Sequence, residues 1–248
     1  MIWLTNECAD AVNLFWRLSG GIESFPRSLE RSLALALPVA LVKLPHLQLR
    51  SIEHWLKSRR ISYSFDCQSR YVRGCLVAYG GKGIIFVDGA DPIGELRFSL
   101  AHEIAHFLMD YWLPRGKAFK NLGPSIVEVM DGHRNPTIEE RIRSVIGGIR
   151  IGLHTDLLER GSDGAGLDAI WQIEDKADKV ALALLADPEE VIKSVDLSAS
   201  MFQQRKEAIV AALRSRFGLP GQVADVYGKE LLIAVGKGPS WTEALGLR

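Results

Sequence analysis

The chain has little cysteine and no net charge, and both shortages narrow what it can be. Among 248 residues there are only Cys8, Cys67 and Cys75. An odd count without a Cys-x-x-Cys pair excludes a disulfide framework and a cysteine zinc knuckle, so each thiol reads first as a small buried hydrophobe. Thirty Lys and Arg balance thirty Asp and Glu. That balance removes the electrostatic case for a dedicated nucleic-acid or membrane binder. The start lacks the charged, apolar and small-residue order of a signal peptide, so a cytoplasmic location is expected. The most apolar stretch, Leu33 to Leu47, is interrupted by Pro38, Lys43 and His46 and suits a buried segment better than a bilayer span. Internal repeats, a phosphate-binding glycine loop and a Ser-His-Asp order are all missing. What remains, at 47% hydrophobic, is a globular chain with enough material for one substantial core and a small second subdomain.

Against that background one run carries chemistry: His102-Glu103-Ile104-Ala105-His106. Residues four apart lie one turn above each other on a helix, so His102 and His106 can turn a ring nitrogen toward one metal ion. Glu103, one position on, sits at the rim of that face. There it can take a proton from a water activated at the metal and later deliver it to a leaving amine. The pattern points to a zinc-dependent peptidase. The surroundings read as a helix: Asp91-Pro92 is a start signal, Pro114 lies beyond the expected end, and Leu96, Leu100, Ile104, Phe107, Leu108 and Tyr111 recur at helical spacing as a core face.

Two histidines need a third ligand. Glu174 to Ala181 reads as a second helix, in which Glu174, Ala177, Asp178 and Ala181 share a face. Two alanines permit close packing on the first helix while Glu174 reaches the metal; Asp178 can hydrogen-bond a ligating histidine from behind. Glu139 and Glu140, opening another expected helix after Pro136-Thr137, are rival ligands.

The segment from Arg97 to Phe107, preceded by the strand-like Gly83 to Asp88, resembles the core of the ImmA/IrrE family of metallo-endopeptidases. Glu174, Ala177, Asp178, Ala181 and Leu184-Leu185 resemble that family's second motif, and the likeness spans about residues 60 to 190. It implies a zinc protease that cuts a partner transcriptional repressor, a helix-turn-helix protein encoded nearby, in a stress or phage response. Two departures stand out. The second motif ends Leu-Leu-Ala-Asp-Pro, one residue longer than usual, and the stretch between His106 and Glu174 is enlarged. That stretch is expected to add a helix from Thr137 to Ile151 and a loop at 161–166.

The expected fold class is α+β, a zincin-like plan with a small sheet packed on the zinc-binding helix and helical N- and C-terminal parts. Ile61 to Phe65, Tyr71 to Tyr79 and Gly83 to Val87 are strand-like, with a hairpin at Gly80-Gly81. Residues 1–193 form the expected peptidase domain, and 194–248 a helical subdomain. Within 200–248 seven Lys or Arg face four Asp or Glu, and two helices around Gly218-Leu219-Pro220-Gly221 leave a helix-turn-helix DNA reader as an alternative to a packing element. The other alternative is a zinc-containing regulator without catalysis. Cys75, in a strand near the expected cleft, is a candidate regulatory thiol for the metal's open position. His154 and Tyr111 are candidate oxyanion stabilisers.

Overall fold

A computed structural model describes residues 4–131, 133–141, 154–159 and 168–244, of which 154–159, 168–173 and 244 are described in backbone only. In chain order the elements are α1 (Asn6–Ser19), α2 (Glu30–Ala36), β1 (Val39–Leu44), α3 (Leu49–Ser58), β2 (Val72–Tyr79), β3 (Lys82–Asp88) and α4 (Ile93–His106). A π-helical stretch (Phe107–Trp112) leads into α5 (Leu113–Leu122), α6 (Ile126–Met130), β4 (His154–Glu159), α7 (Asp168–Leu185), α8 (Pro188–Lys193), α9 (Phe202–Ser215), α10 (Gly221–Ala234) and α11 (Trp241–Ala244).

The class is α+β. The strands form one sheet in the order β1-β3-β2-β4, with β1 parallel to β3 and the other pairs antiparallel. Gly80 and Gly81, both at positive φ, make the two-residue turn that pairs Tyr79 with Lys82; that conformation suits the right-handed twist of the flanking strands and favours glycine at both positions. Successive side chains point to opposite faces. Leu76, Ala78, Ile85 and Val87 therefore join Leu100, Ala101 and Ile104 of α4 in the larger core, while Cys75, Val77 and Phe86 join Leu49, Ile52 and Leu56 of α3 in a separate one.

Several expectations are corrected. Val39–Leu44, expected within the helical N-terminal part, is an edge strand with no fully buried residue, and Ala40 and Lys43 are exposed. Its β-branched and leucine content suits a strand once β3 is beside it. Ile61 to Phe65 is irregular rather than a strand. Residues 154–159 form a fourth strand on β2, a partner no local pattern announced. Residues 138–141 are helical, while 142–151 and the loop at 161–166 lie outside the described residues.

The helix holding the histidines also departs from expectation at both ends. Its N-cap is Pro92, not Asp91, and the proline side chain makes no cap hydrogen bond. Nor does Pro114 end it. The chain widens into the π-helical turn, where Leu113 N–H bonds Leu108 O five residues back, and continues into α5. In a regular helix the Pro114 ring would clash with the carbonyl of Asp110; one extra residue in the turn relieves that clash.

The C-terminal helices are continuous with the main core. Ile209, Leu213, Phe217, Leu231 and Leu232 belong to the same cluster as Leu184. Tyr227 donates its hydroxyl hydrogen to Ala186 O at 2.9 Å, and Phe25 and Phe217 meet with ring centroids 4.5 Å apart. The exposed charges of α10 are Asp225, Lys229 and Glu230, and Lys206 of α9 already pairs with Asp225. Among the described residues no helix is long and apolar enough to cross a membrane.

Candidate metal centre

Helix α4 lies on β2 and β3 with α7 across it. His102, Glu103 and His106 are buried polar residues in an otherwise apolar contact, at 1%, 0% and 0% exposure. Buried polar groups need partners, and each histidine has a carboxylate behind it. His102 Nδ1 is 2.9 Å from Asp178 Oδ1, and His106 Nδ1 is 2.8 Å from Asp110 Oδ2. With each Nδ1–H given to a carboxylate, the Nε2 atoms are the ends turned inward, and they stand 2.9 Å apart.

Glu174 supplies the third donor. Its Oε2 is 3.4 Å from His102 Nε2 and its Oε1 is 3.8 Å from His106 Nε2. Ala177 and Ala181, both buried, are the small residues on the same helix that let α7 approach α4. All three donor atoms lie within 4.8 Å of one another. The imidazole nitrogens are 2.9 Å apart, and one Glu174 oxygen stands 3.4 Å from the first while the other stands 3.8 Å from the second, so the three side chains crowd around one small volume. Two imidazoles and one carboxylate form a group able to hold a metal.

The metal-free electrostatics follow from the same contacts. Burial opposes charge on His102, but hydrogen bonds to Asp178 and Glu174 outweigh it and raise its pKa from an ordinary 6.5 to about 9. Burial would likewise raise Glu174, yet its bonds to His102 and His106 bring it from 4.5 down to about 2. Without a metal, then, His102 carries a proton across neutral pH and pairs with Glu174. A cation entering the site takes that proton's place.

Each residue singled out from the sequence can now be located. Glu103 is fully buried and stands outside the donor group. Asp178 bonds His102. Glu140 is bound to Arg134, at 2.6 and 2.8 Å, and to Thr137 N–H, and neither it nor Glu139 belongs to the metal group. Cys75 is not at the centre: strand alternation turns it into the core on the α3 side of the sheet, away from α4. Tyr111 accepts a hydrogen bond from Gly81 N–H at 2.7 Å and so holds the β2–β3 turn. His154 pairs through its backbone with Ala78, and its side chain lies outside the described residues.

Asp110 is the site residue that sequence reasoning missed. Its signal was present, a carboxylate four positions after a ligand histidine on one helix. The proline four residues further on masked it by suggesting that the helix was ending. The chain matches no protein-family model, no curated protein and no solved structure.

Proposed function

We propose that the chain is a zinc-dependent endopeptidase. The observation that carries this reading is the convergence of His102, His106 and Glu174 with both histidines fixed from behind by Asp178 and Asp110. Two imidazoles and a carboxylate suit zinc, and carboxylates behind histidine ligands fix ring orientation and raise basicity. Zinc, when bound, supplies the Lewis acidity that polarises a peptide carbonyl and acidifies a water.

The chain's own groups do the rest. His102, His106 and Glu174 would hold the ion with three donors. Glu103 lies one residue from a ligand but is not itself one. Its carboxylate serves as general base toward the attacking water and, once protonated, as general acid toward the departing amine. Burial at 0% exposure keeps bulk water from competing for that proton.

The substrate class rests on the resemblance of the segments around His102 and Glu174 to motifs of the ImmA/IrrE family. On that basis the target is a helix-turn-helix repressor encoded nearby, cut at an exposed linker. The test is to incubate zinc-quantified protein with the repressor-like product of a neighbouring gene, beside Glu103→Gln, and read intact masses. Site-specific fragments from the wild type alone support the reading. Cleavage by Glu103→Gln at the wild-type rate overturns the mechanism, and bound zinc with no cleavage favours a regulator that acts by binding.

A further inference from the structure

Strand β2 carries an irregularity beside the metal helix. Val72 pairs with Glu159 and Gly74 with Leu158, so Arg73 is an extra residue in β2. Such a bulge turns neighbouring side chains toward the same face and breaks simple alternation. The consequence is visible on both sides. Val72 and Cys75 face α3, in the smaller core. Arg73 and Gly74 meet α4: Arg73 Nη1 is 2.6 Å from Glu95 Oε2 in the helix's first turn, and Gly74 meets Glu103 two turns later.

The second contact is the tighter. A Cβ added at Gly74 would overlap Glu103 Oε1 and lie 3.0 Å from both Cδ and Cγ of that side chain. No other residue type fits without moving the carboxyl, and because Glu103 is fully buried, the carboxyl has no solvent to retreat into. We infer that Gly74 is a positioning residue for the reaction: the bulge aims its bare Cα at α4, creating the seat that holds the carboxyl of Glu103, the residue next to His102 in the chain and outside the donor group. Arg73, through Glu95, pins the start of the same helix so that Glu103 arrives at that seat. This inference rests on the peptidase reading for the role of Glu103, but the contact itself does not.

A stability cycle on full-length protein tests the contact. Gly74→Ala should lower Tm by roughly 3–10 °C, the range expected for overpacking in a chain of this size. In a Glu103→Ala background the same substitution should cost much less, since the clashing carboxyl is gone. Equal losses in both backgrounds overturn the seat.

Cobalt-loaded protein and the cleavage assay test the role. Gly74→Ala should bind one metal as wild type does, change the visible absorption of the Co(II) form in the same sense as Glu103→Gln, and lower kcat at least tenfold with little change in KM. A Gly74→Ala spectrum that overlays wild type, or an unchanged kcat, overturns the positioning role. If Glu103→Gln turns over normally while the stability cycle still shows coupling, the peptidase mechanism has failed and the seat has not.

Discussion

The two faces of the sheet bury different chemistry. Toward α3 the strands present Val72, Cys75, Val77 and Phe86 to an apolar helix stripe, and Phe86 meets Trp55 edge-on at 5.3 Å. Toward α4 the same strands present Arg73, Gly74, Leu76 and Ala78, and the helix answers with Glu95 and the buried Glu103, while its buried His102 and His106 converge with Glu174 of α7. The first face is a packing surface, stabilised in proportion to the area it hides. On the second, every buried polar group has to be matched, so position matters more than area. A single strand serves both because successive residues face opposite sides, and the bulge puts Arg73 and Gly74 together on the α4 side.

That contrast can be broken from either side. The largest effect belongs to the polar face: Glu103→Gln should keep stoichiometric metal and lose about 10²–10⁴-fold in kcat, the usual contribution of a positioned acid-base group, checked by metal analysis beside turnover. Phe86→Ala, on the apolar face, should cost about 3–5 kcal/mol of stability in denaturant unfolding, while the folded fraction keeps its metal. Next come the two carboxylates behind the ligands. Asp110→Asn and Asp178→Asn should each weaken metal affinity by about 10–100-fold in competition titrations. Retained affinity in both would mean the rings are oriented by packing alone.

The pH response separates metal-free from loaded protein. His102 is raised from 6.5 to about 9, so its stabilising pair is fully present below pH 6.5 and is lost as pH rises through about 9. Glu174 is lowered from 4.5 to about 2, so its share is present above pH 4.5 and is lost as pH falls through about 2. Metal-free protein should therefore lose Tm between pH 6.5 and 9. Over the same window metal affinity should rise by about tenfold per pH unit, because the ion no longer has to displace the His102 proton. Melting curves with and without chelator at both pH values check the opposite signs. The smallest effect is expected at Cys75, where alanine should cost about 1 kcal/mol and leave metal content and turnover unchanged. A change in either would put the thiol back at the centre.

Local signals served the site better than the sheet. His102, Glu103 and His106 lie within five positions, and helical spacing alone brings the two rings together. The Gly80-Gly81 turn was equally legible, because positive φ at two positions has a distinct composition. Strand β1 hid among apolar residues that suit a helix as well as a strand, and β4 is held to β2 from a distant part of the chain. The proline at 114 misled for a physical reason. Its clash forbids a regular turn, and the chain met it by widening the helix rather than stopping it.

The sequence by itself determined which residues can act and which pairs must be neighbours, since spacing along one helix is a covalent fact. Only the tertiary structure decided what stands opposite them. Asp178 reaches His102 across 76 positions, and Glu174 completes the group from the same distant helix. Gly74 meets Glu103 because one extra residue shifts the phase of β2, and Cys75, next in line, is turned away by the same shift. Those outcomes depend on strand pairing and helix docking, which arise from contacts distant in the chain and leave no local period to read.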